Sequence, residues 1–218
     1  MLKIKMFSRK PKNLLNKKSK KLDDLERKML FTAVFGKRGS GKTTLVRSLL
    51  KEEMKKKTYD YFIIFKNSPS QEYMINSFNF NFEHLEKLLN FQERQIKKGI
   101  FKPIFIIFDD CFTSFIYTNK KKNKLVRNLF FNGRHFLIGV CLVSQYMNLL
   151  KSEIRANIDK LYIKYTLNMN VIDKFIEDYG DKYQKKYYYH EITRTFKTNH
   201  YSTFLFDCFT GKLYEIEY

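Results

Sequence analysis

A chain of 218 residues is long enough for one α/β domain with a full hydrophobic core and short for two independent ones. Its 42 Lys and Arg against 22 Asp and Glu leave a formal charge of +20, far beyond what folding requires, and point to a polyanionic partner, DNA or RNA, or to an anionic membrane surface. The cysteines Cys111, Cys141 and Cys208 lie far apart, with no Cys-x-x-Cys pair and no histidine cluster nearby. That spacing excludes a zinc site and predicts free thiols in a reducing compartment; with no leader-like apolar run and no membrane span, an intracellular protein is expected.

Residues 1–28 set themselves apart: Lys3, Lys5, Arg9, Lys10, Lys12, Lys17, Lys18, Lys20 and Lys21 all precede the first acid, Asp23. Such a basic arm either solubilises the chain or contacts phosphate backbones with a salt-dependent affinity. A single domain is expected over residues 29–218. The fully apolar run from Met29 to Phe35 reads as a buried strand, and the apolar spacing after Thr43 as a helix. A second strand is predicted over Tyr59–Phe65, with Asn67 to Ser70 as its turn, and an amphipathic helix over Phe82–Lys98. Pro103–Phe108 is a third strand ending in Asp109 and Asp110, Lys124–Phe131 a helix, His135–Val143 a fourth strand ending in Ser144 and Gln145, and Lys160–Tyr165 a fifth. A helix follows over Val171–Tyr179, and the last residues alternate around Thr210 and Gly211 as a β-hairpin. The predicted class is α/β, with a mainly parallel central sheet flanked by helices and a C-terminal β-hairpin, and the segment Gly36 to Thr43 between the first strand and its helix, G-x-x-x-x-G-K-[ST], makes it a P-loop NTPase of the RecA-like or ASCE type.

Gly36, Lys37, Arg38, Gly39, Ser40, Gly41, Lys42 and Thr43 form the pattern G-x-x-x-x-G-K-[ST], set between an apolar strand and an amphipathic helix. Glycines let successive backbone N–H groups curl around phosphates, and the helix N-terminus adds positive potential. Lys42 is expected on the β and γ phosphates and the Thr43 hydroxyl on magnesium, with Thr44 packing or touching the α phosphate. Asp109, at the end of a buried strand, is the second metal residue, on a strand expected to neighbour the one that carries the loop. Asp110 is either the base that deprotonates the attacking water or a helix cap and supporting partner. Gln145 is a γ-phosphate sensor or a plain polar strand end. Arg134 is the candidate for a guanidinium supplied across a subunit contact, with Arg127 as its competitor.

The order Gly36 to Leu45, then Ile104 to Asp110, then Gly133-Arg134-His135, a strand, Ser144-Gln145 and Ile154-Arg155-Ala156-Asn157 before another strand resembles the DNA-packaging ATPases of poxviruses, related large DNA viruses and virophages, within the FtsK-HerA superfamily of DNA pumps. The likeness covers roughly residues 29–165. It implies an ATP- and Mg2+-dependent motor that translocates double-stranded DNA into a preformed capsid, working as a homo-oligomeric ring, usually a hexamer, together with capsid or packaging proteins. The implied setting is the host cytoplasm or virus factory, or the virion. It also assigns Lys42 and Thr43 to phosphate and metal, Asp109 and Asp110 to the acidic pair, Gln145 to the sensor and Arg134 to the trans-acting arginine. The run Asn119-Lys120-Lys121-Lys122-Asn123-Lys124 is either a channel loop that meets DNA or a solvated surface.

Two other classes share the loop. A small nucleotide or nucleoside kinase needs an arginine-rich lid and an acceptor pocket, which no segment marks. A DNA-binding scaffold would keep the nucleotide without hydrolysing it. GTPase signatures are missing, since the acidic strand continues as Asp109-Asp110-Cys111-Phe112 and Asn119-Lys120 runs into lysines.

Overall fold

The computed structural model describes residues 20–67, 73–111, 120–147, 150–166, 169–179 and 185–216. Its frame is an eight-stranded sheet in the order β3-β2-β4-β5-β1-β6-β7-β8. The strands are β1 (Phe31–Phe35), β2 (Tyr61–Lys66), β3 (Ser77–Asn79), β4 (Ile104–Asp109), β5 (Ile138–Ser144), β6 (Lys160–Lys164), β7 (Thr203–Asp207) and β8 (Lys212–Ile216). The run from β3 to β6 is parallel throughout, while β7 and β8 add antiparallel to one side.

Parallel strands covered on both faces carry unbroken apolar runs, and successive side chains then feed opposite cores. In β4, Ile104, Ile106 and Phe108 enter one cluster while Phe105 and Ile107 enter the other. The larger cluster is covered by α2 (Phe82–Lys97), α3 (Lys120–Asn132), α5 (Met169–Tyr179) and α6 (Lys185–Thr198), through residues such as Leu85, Leu129, Phe175 and Ile192. The smaller is covered by α1 (Lys42–Lys56) through Leu45, Val46 and Leu50. A short α4 (Ser152–Arg155) leads into β6.

Several expectations change. The loop strand β1 and the acidic strand β4 are not neighbours, because β5 pairs with both and lies between them. The lysine run is not a loop: Lys120, Lys121 and Lys122 form the first turn of α3, with Asn119 outside the described residues. Glu86 receives a hydrogen bond from Lys121 at 3.1 Å, and Lys122 Nζ lies 5.0 Å from the centre of the Phe82 ring. These contacts hold two of the three cations at a helix end whose dipole disfavours them. The fourth strand starts later than expected because Gly133–Phe136 makes a turn of 3-10 helix, closed by Leu137 at φ 54. Of the arm, residues 20–26 are helical and rest Leu22 and Leu25 against the smaller core; residues 1–19 lie outside the described part, as do Ser68 to Ser70 of the expected turn.

Candidate functional site

The carboxyl edge of the parallel strands gathers the motif residues. β1 ends at Phe35, and the chain turns at Gly36, where a Cβ would stand 2.5 Å from Lys164 Cβ and 2.8 Å from Ser40 Oγ. No side chain fits there. Gly39 and Gly41 take φ of 78 and 85, the left-handed region that glycine enters without penalty. Gly41 caps α1 with no side-chain hydrogen bond, and the first turn holds no acid. The helix N–H groups there have no built-in anion, which is the arrangement that binds phosphate. Ser40 Oγ is buried with no hydrogen-bond partner, a further sign of a cradle shaped for a polar guest.

Lys42 is buried, and its ammonium donates to the carbonyls of Gly36 at 2.8 Å and Lys37 at 3.0 Å. Burial holds its pKa below the ordinary lysine value, opposed by the charge of Asp110 and then of Asp109. Both carboxylates therefore act on the same ammonium across β5. Asp109 is 3% exposed and accepts a hydrogen bond from Tyr73 Oη at 2.5 Å. Its carboxyl is held above the usual range by burial, which outweighs the Tyr73 bond, and Asp110 pushes it the same way while Lys42 and Lys66 pull it down. Asp110 leaves the strand at φ 50, its N–H bonded to the Val143 carbonyl and its own carbonyl accepting from Asn67 Nδ2. In the register of the sheet, Val143 faces Asp109 and Ser144 faces Phe35, so Gln145 follows on between the acidic pair and the loop. Thr43 is half-buried and Thr44 exposed at the start of α1.

A magnesium ion uses one or two carboxylates and completes its shell with phosphate and water oxygens. The Thr43 hydroxyl and the Asp109 carboxylate fit such a donor set. Among the described residues no group of three or more His, Cys, Asp or Glu could form an all-protein cage.

Arg134 lies elsewhere. It sits at the amino end of β5, ion-paired to buried Asp159, which also accepts the Phe31 N–H at 2.7 Å. Within the chain it is at the opposite edge of the sheet from the loop. Arg127, on α3, is exposed, 3.5 Å from Glu153 and over the Phe131 ring. Arg155, one of the residues behind the family resemblance, is buried and donates to the carboxylate of Asp178 and the carbonyl of Leu150.

Two site residues carry no motif. Tyr73 stands in a polar stretch with no periodic signal. Lys164 did leave one, a lysine within an apolar strand: it is 3% exposed, packs under Gly36 and Gly41, and donates to the Tyr201 carbonyl and Thr203 Oγ1. Burial lowers its pKa. All three cysteines are free, Cys111 and Cys141 buried; burial pushes the Cys208 thiol up to about 12. Among the described residues, no helix is long and apolar enough to cross a membrane.

Comparison with known proteins supplies a family and a fold. The sequence model of the family described as Poxvirus A32 protein matches residues 17–204. Uncharacterized protein 015R of Frog virus 3 (isolate Goorha) is 28% identical over 174 residues, 71% of this chain and 50% of its own, so the chain spans half the length of that curated relative. B204, the DNA-packaging ATPase from Sulfolobus Turreted Icosahedral Virus, superposes with a TM-score of 0.64 at 18% identity, over 86% of this chain and 96% of that one. The genome packaging NTPase B204 from Sulfolobus turreted icosahedral virus 2, in complex with ATP-gammaS, gives 0.64 at 19% identity, again over 86% and 96%. These likenesses bear out the expected α/β P-loop fold.

Proposed function

Because the chain belongs to the poxvirus A32 protein family, as the order of its motifs led us to expect, we propose that it is an ATPase that drives double-stranded viral DNA into a preformed capsid. The observation that carries this reading is a buried lysine on a glycine cradle, acted on by two carboxylates from a strand one place removed. In this reading the backbone from Gly36 to Thr44 and the Lys42 ammonium hold the triphosphate. The Thr43 hydroxyl and Asp109 hold magnesium, which when bound neutralises charge on the phosphate oxygens. Asp110 accepts the proton of the water that attacks the γ phosphorus. As the new P–O bond forms, the bond to the β–γ bridging oxygen breaks and ADP leaves with its electron pair, its charge balanced by Lys42. Gln145 senses the γ phosphate and reports its departure.

Translocation asks for more than one subunit, and we propose a homo-oligomeric ring, a hexamer, docked on capsid or packaging proteins in the infected cell. The arginine that completes a neighbour's site is Arg134 or Arg127. Arg134 would have to leave buried Asp159 to serve, whereas Arg127 would leave only the half-buried Glu153. DNA is contacted by the arm at residues 1–28 and by the lysines that open α3, with residues 29–218 as the ATPase domain.

Phosphate release by the full chain, with and without duplex DNA, tests the proposal. Hydrolysis is expected to rise with DNA and to fall about a hundredfold or more in Lys42→Ala, the scale of losing a preorganised charge at a transition state. Transfer of phosphate to a nucleoside acceptor instead of water, or normal turnover in Lys42→Ala, would refute it.

A further inference from the structure

The chain that leaves β2 comes back to the acidic pair. Asn67 Nδ2 donates to the Asp110 carbonyl at 3.3 Å, and Tyr73 Oη donates to Asp109 Oδ2 at 2.5 Å. The first contact holds backbone, whereas the second holds the carboxylate itself. None of the steps assigned to the triphosphate site uses Tyr73. Successive side chains of a strand face opposite ways, and in β4 Phe105 and Ile107 feed the smaller core, so Asp109 points to that face as well. Tyr73 packs against the same core, and so does α1 through Leu45, Val46 and Leu50, with Lys42 and Thr43 in its first turn. Tyrosine, carboxylate and the start of α1 therefore share one face of the sheet.

We infer that Tyr73 is a positioning residue for the metal site: by holding Oδ2 it presets the Asp109 carboxylate for magnesium. The inference rests on the reading that Thr43 and Asp109 hold that ion. A phenol keeps its proton at neutral pH and can give it to a carboxylate, whose planar group is then fixed in rotation. With Oδ2 held, the place of Oδ1 is set too. Asp109 is buried, so bulk water has little access to do this instead. Carboxylates that ligate metals are themselves hydrogen-bonded, and losing such a partner costs about 10–100-fold in metal affinity.

The other use of such a bond is to make a buried charge tolerable. Asp159 shows what this fold does to that end, since it receives both a backbone N–H and a guanidinium. The hydrogen bond that Asp109 accepts comes from a neutral hydroxyl, and Lys42, whose charge reaches it, donates to the carbonyls of Gly36 and Lys37. A hydroxyl orients the carboxylate without neutralising it, which leaves its charge for a cation.

Calorimetric titration of the full chain with a non-hydrolysable ATP analogue, once with excess magnesium and once with EDTA, tests the assignment. Tyr73→Phe removes only the hydroxyl. It is expected to bind the analogue about tenfold more weakly in magnesium, the low end for losing such a partner, and to change by less than about twofold in EDTA. Tyr59→Phe is the control: Tyr59 belongs to the same core and its hydroxyl donates to the Lys28 carbonyl at 3.3 Å, so both affinities should stay unchanged. Unchanged affinity of Tyr73→Phe in magnesium, or equal weakening with and without the ion, overturns the positioning role and leaves the metal site intact. The same magnesium-dependent loss in Tyr59→Phe also overturns it, because any missing buried hydroxyl would then suffice. An unaltered chain that binds the analogue equally in magnesium and in EDTA overturns the metal site of Thr43 and Asp109, and the part of Tyr73 falls with it.

Discussion

The two edges of the parallel sheet treat buried charge in opposite ways. At the amino edge Asp159 is fully engaged: it accepts the Phe31 N–H and pairs with Arg134, while its own N–H and carbonyl tie β1 and Cys208 in place. At the carboxyl edge the charges are left in discomfort. Lys42 is buried on backbone carbonyls with its pKa depressed, Asp109 is buried with its carboxyl elevated, and Ser40 Oγ has no partner. Charges that a fold has satisfied for itself hold it together, whereas buried charges it has gathered without pairing are waiting for something from outside.

That contrast breaks most visibly through Asp110 and Asp159, two half-buried or buried carboxylates with opposite expected fates. Asp110→Asn should slow hydrolysis about a hundredfold, the low end for losing a general base, with ATP affinity retained in calorimetry. Asp159→Ala should cost about 2 kcal/mol of stability, read as a lower denaturant midpoint, because a buried N–H and a guanidinium lose their acceptor. The figure is below that of a wholly buried pair because the Arg134 side chain is 44% exposed. A normally active Asp110→Asn, or an Asp159→Ala as stable as the parent, would mean that the edges are not divided in this way.

Asp109→Asn sharpens the comparison, because here function and stability should move apart. Burial raises the folded-state pKa of Asp109 above its unfolded value. Its contribution to stability is then fully present below the unfolded carboxylate pKa and lost as pH rises through the folded one, so at neutral pH the ionised group burdens the fold. Lys42 has the mirror sign: its depressed pKa gives a contribution present at high pH and lost as pH falls through the folded value. Replacing Asp109 by Asn should therefore abolish magnesium-dependent turnover and raise stability at neutral pH by about 1 kcal/mol, a gain of the size found on relieving functional-site strain. The gain should vanish in acid, where both states carry a neutral carboxyl. Denaturant midpoints measured at the two pH values decide it.

How much of this was legible in the sequence follows the same division. The glycine cradle, Lys42, Asp109 and Asp110 are readable because phosphate chemistry fixes residue types at fixed spacing, and the apolar runs of β1, β4 and β5 are readable because strands buried on both faces have no polar alternation. The insertion of β5 between β1 and β4 was not, since register depends on long-range pairing that local pattern does not encode. α6 escaped because its lysines and tyrosines mask Tyr188, Ile192 and Phe196, although these recur at helical spacing on the buried face. β3 has three residues, too few to show a period. Tyr73 gave no signal at all: its role comes from where the chain returns, to within 2.5 Å of Asp109.

The smallest expected effect concerns charges that belong to neither edge's internal economy. Lys120, Lys121 and Lys122 stand at the N-terminus of α3, where the helix dipole opposes cations, and Lys121 is exposed in its pair with half-buried Glu86. Converting all three to Gln should therefore change folding stability by less than about 1 kcal/mol, and a slight gain is as compatible with the local field as a slight loss. If they meet the DNA backbone, the slope of log affinity against log salt should shrink by up to about 3, close to one for each phosphate that is no longer neutralised. Fluorescence anisotropy of labelled duplex DNA across a salt series measures that slope. An unchanged slope would move the DNA to another basic surface, with α6 and its Lys185, Lys186, Arg194 and Lys197 next in line, and would show that this helix carries its lysine turn for reasons unrelated to nucleic acid.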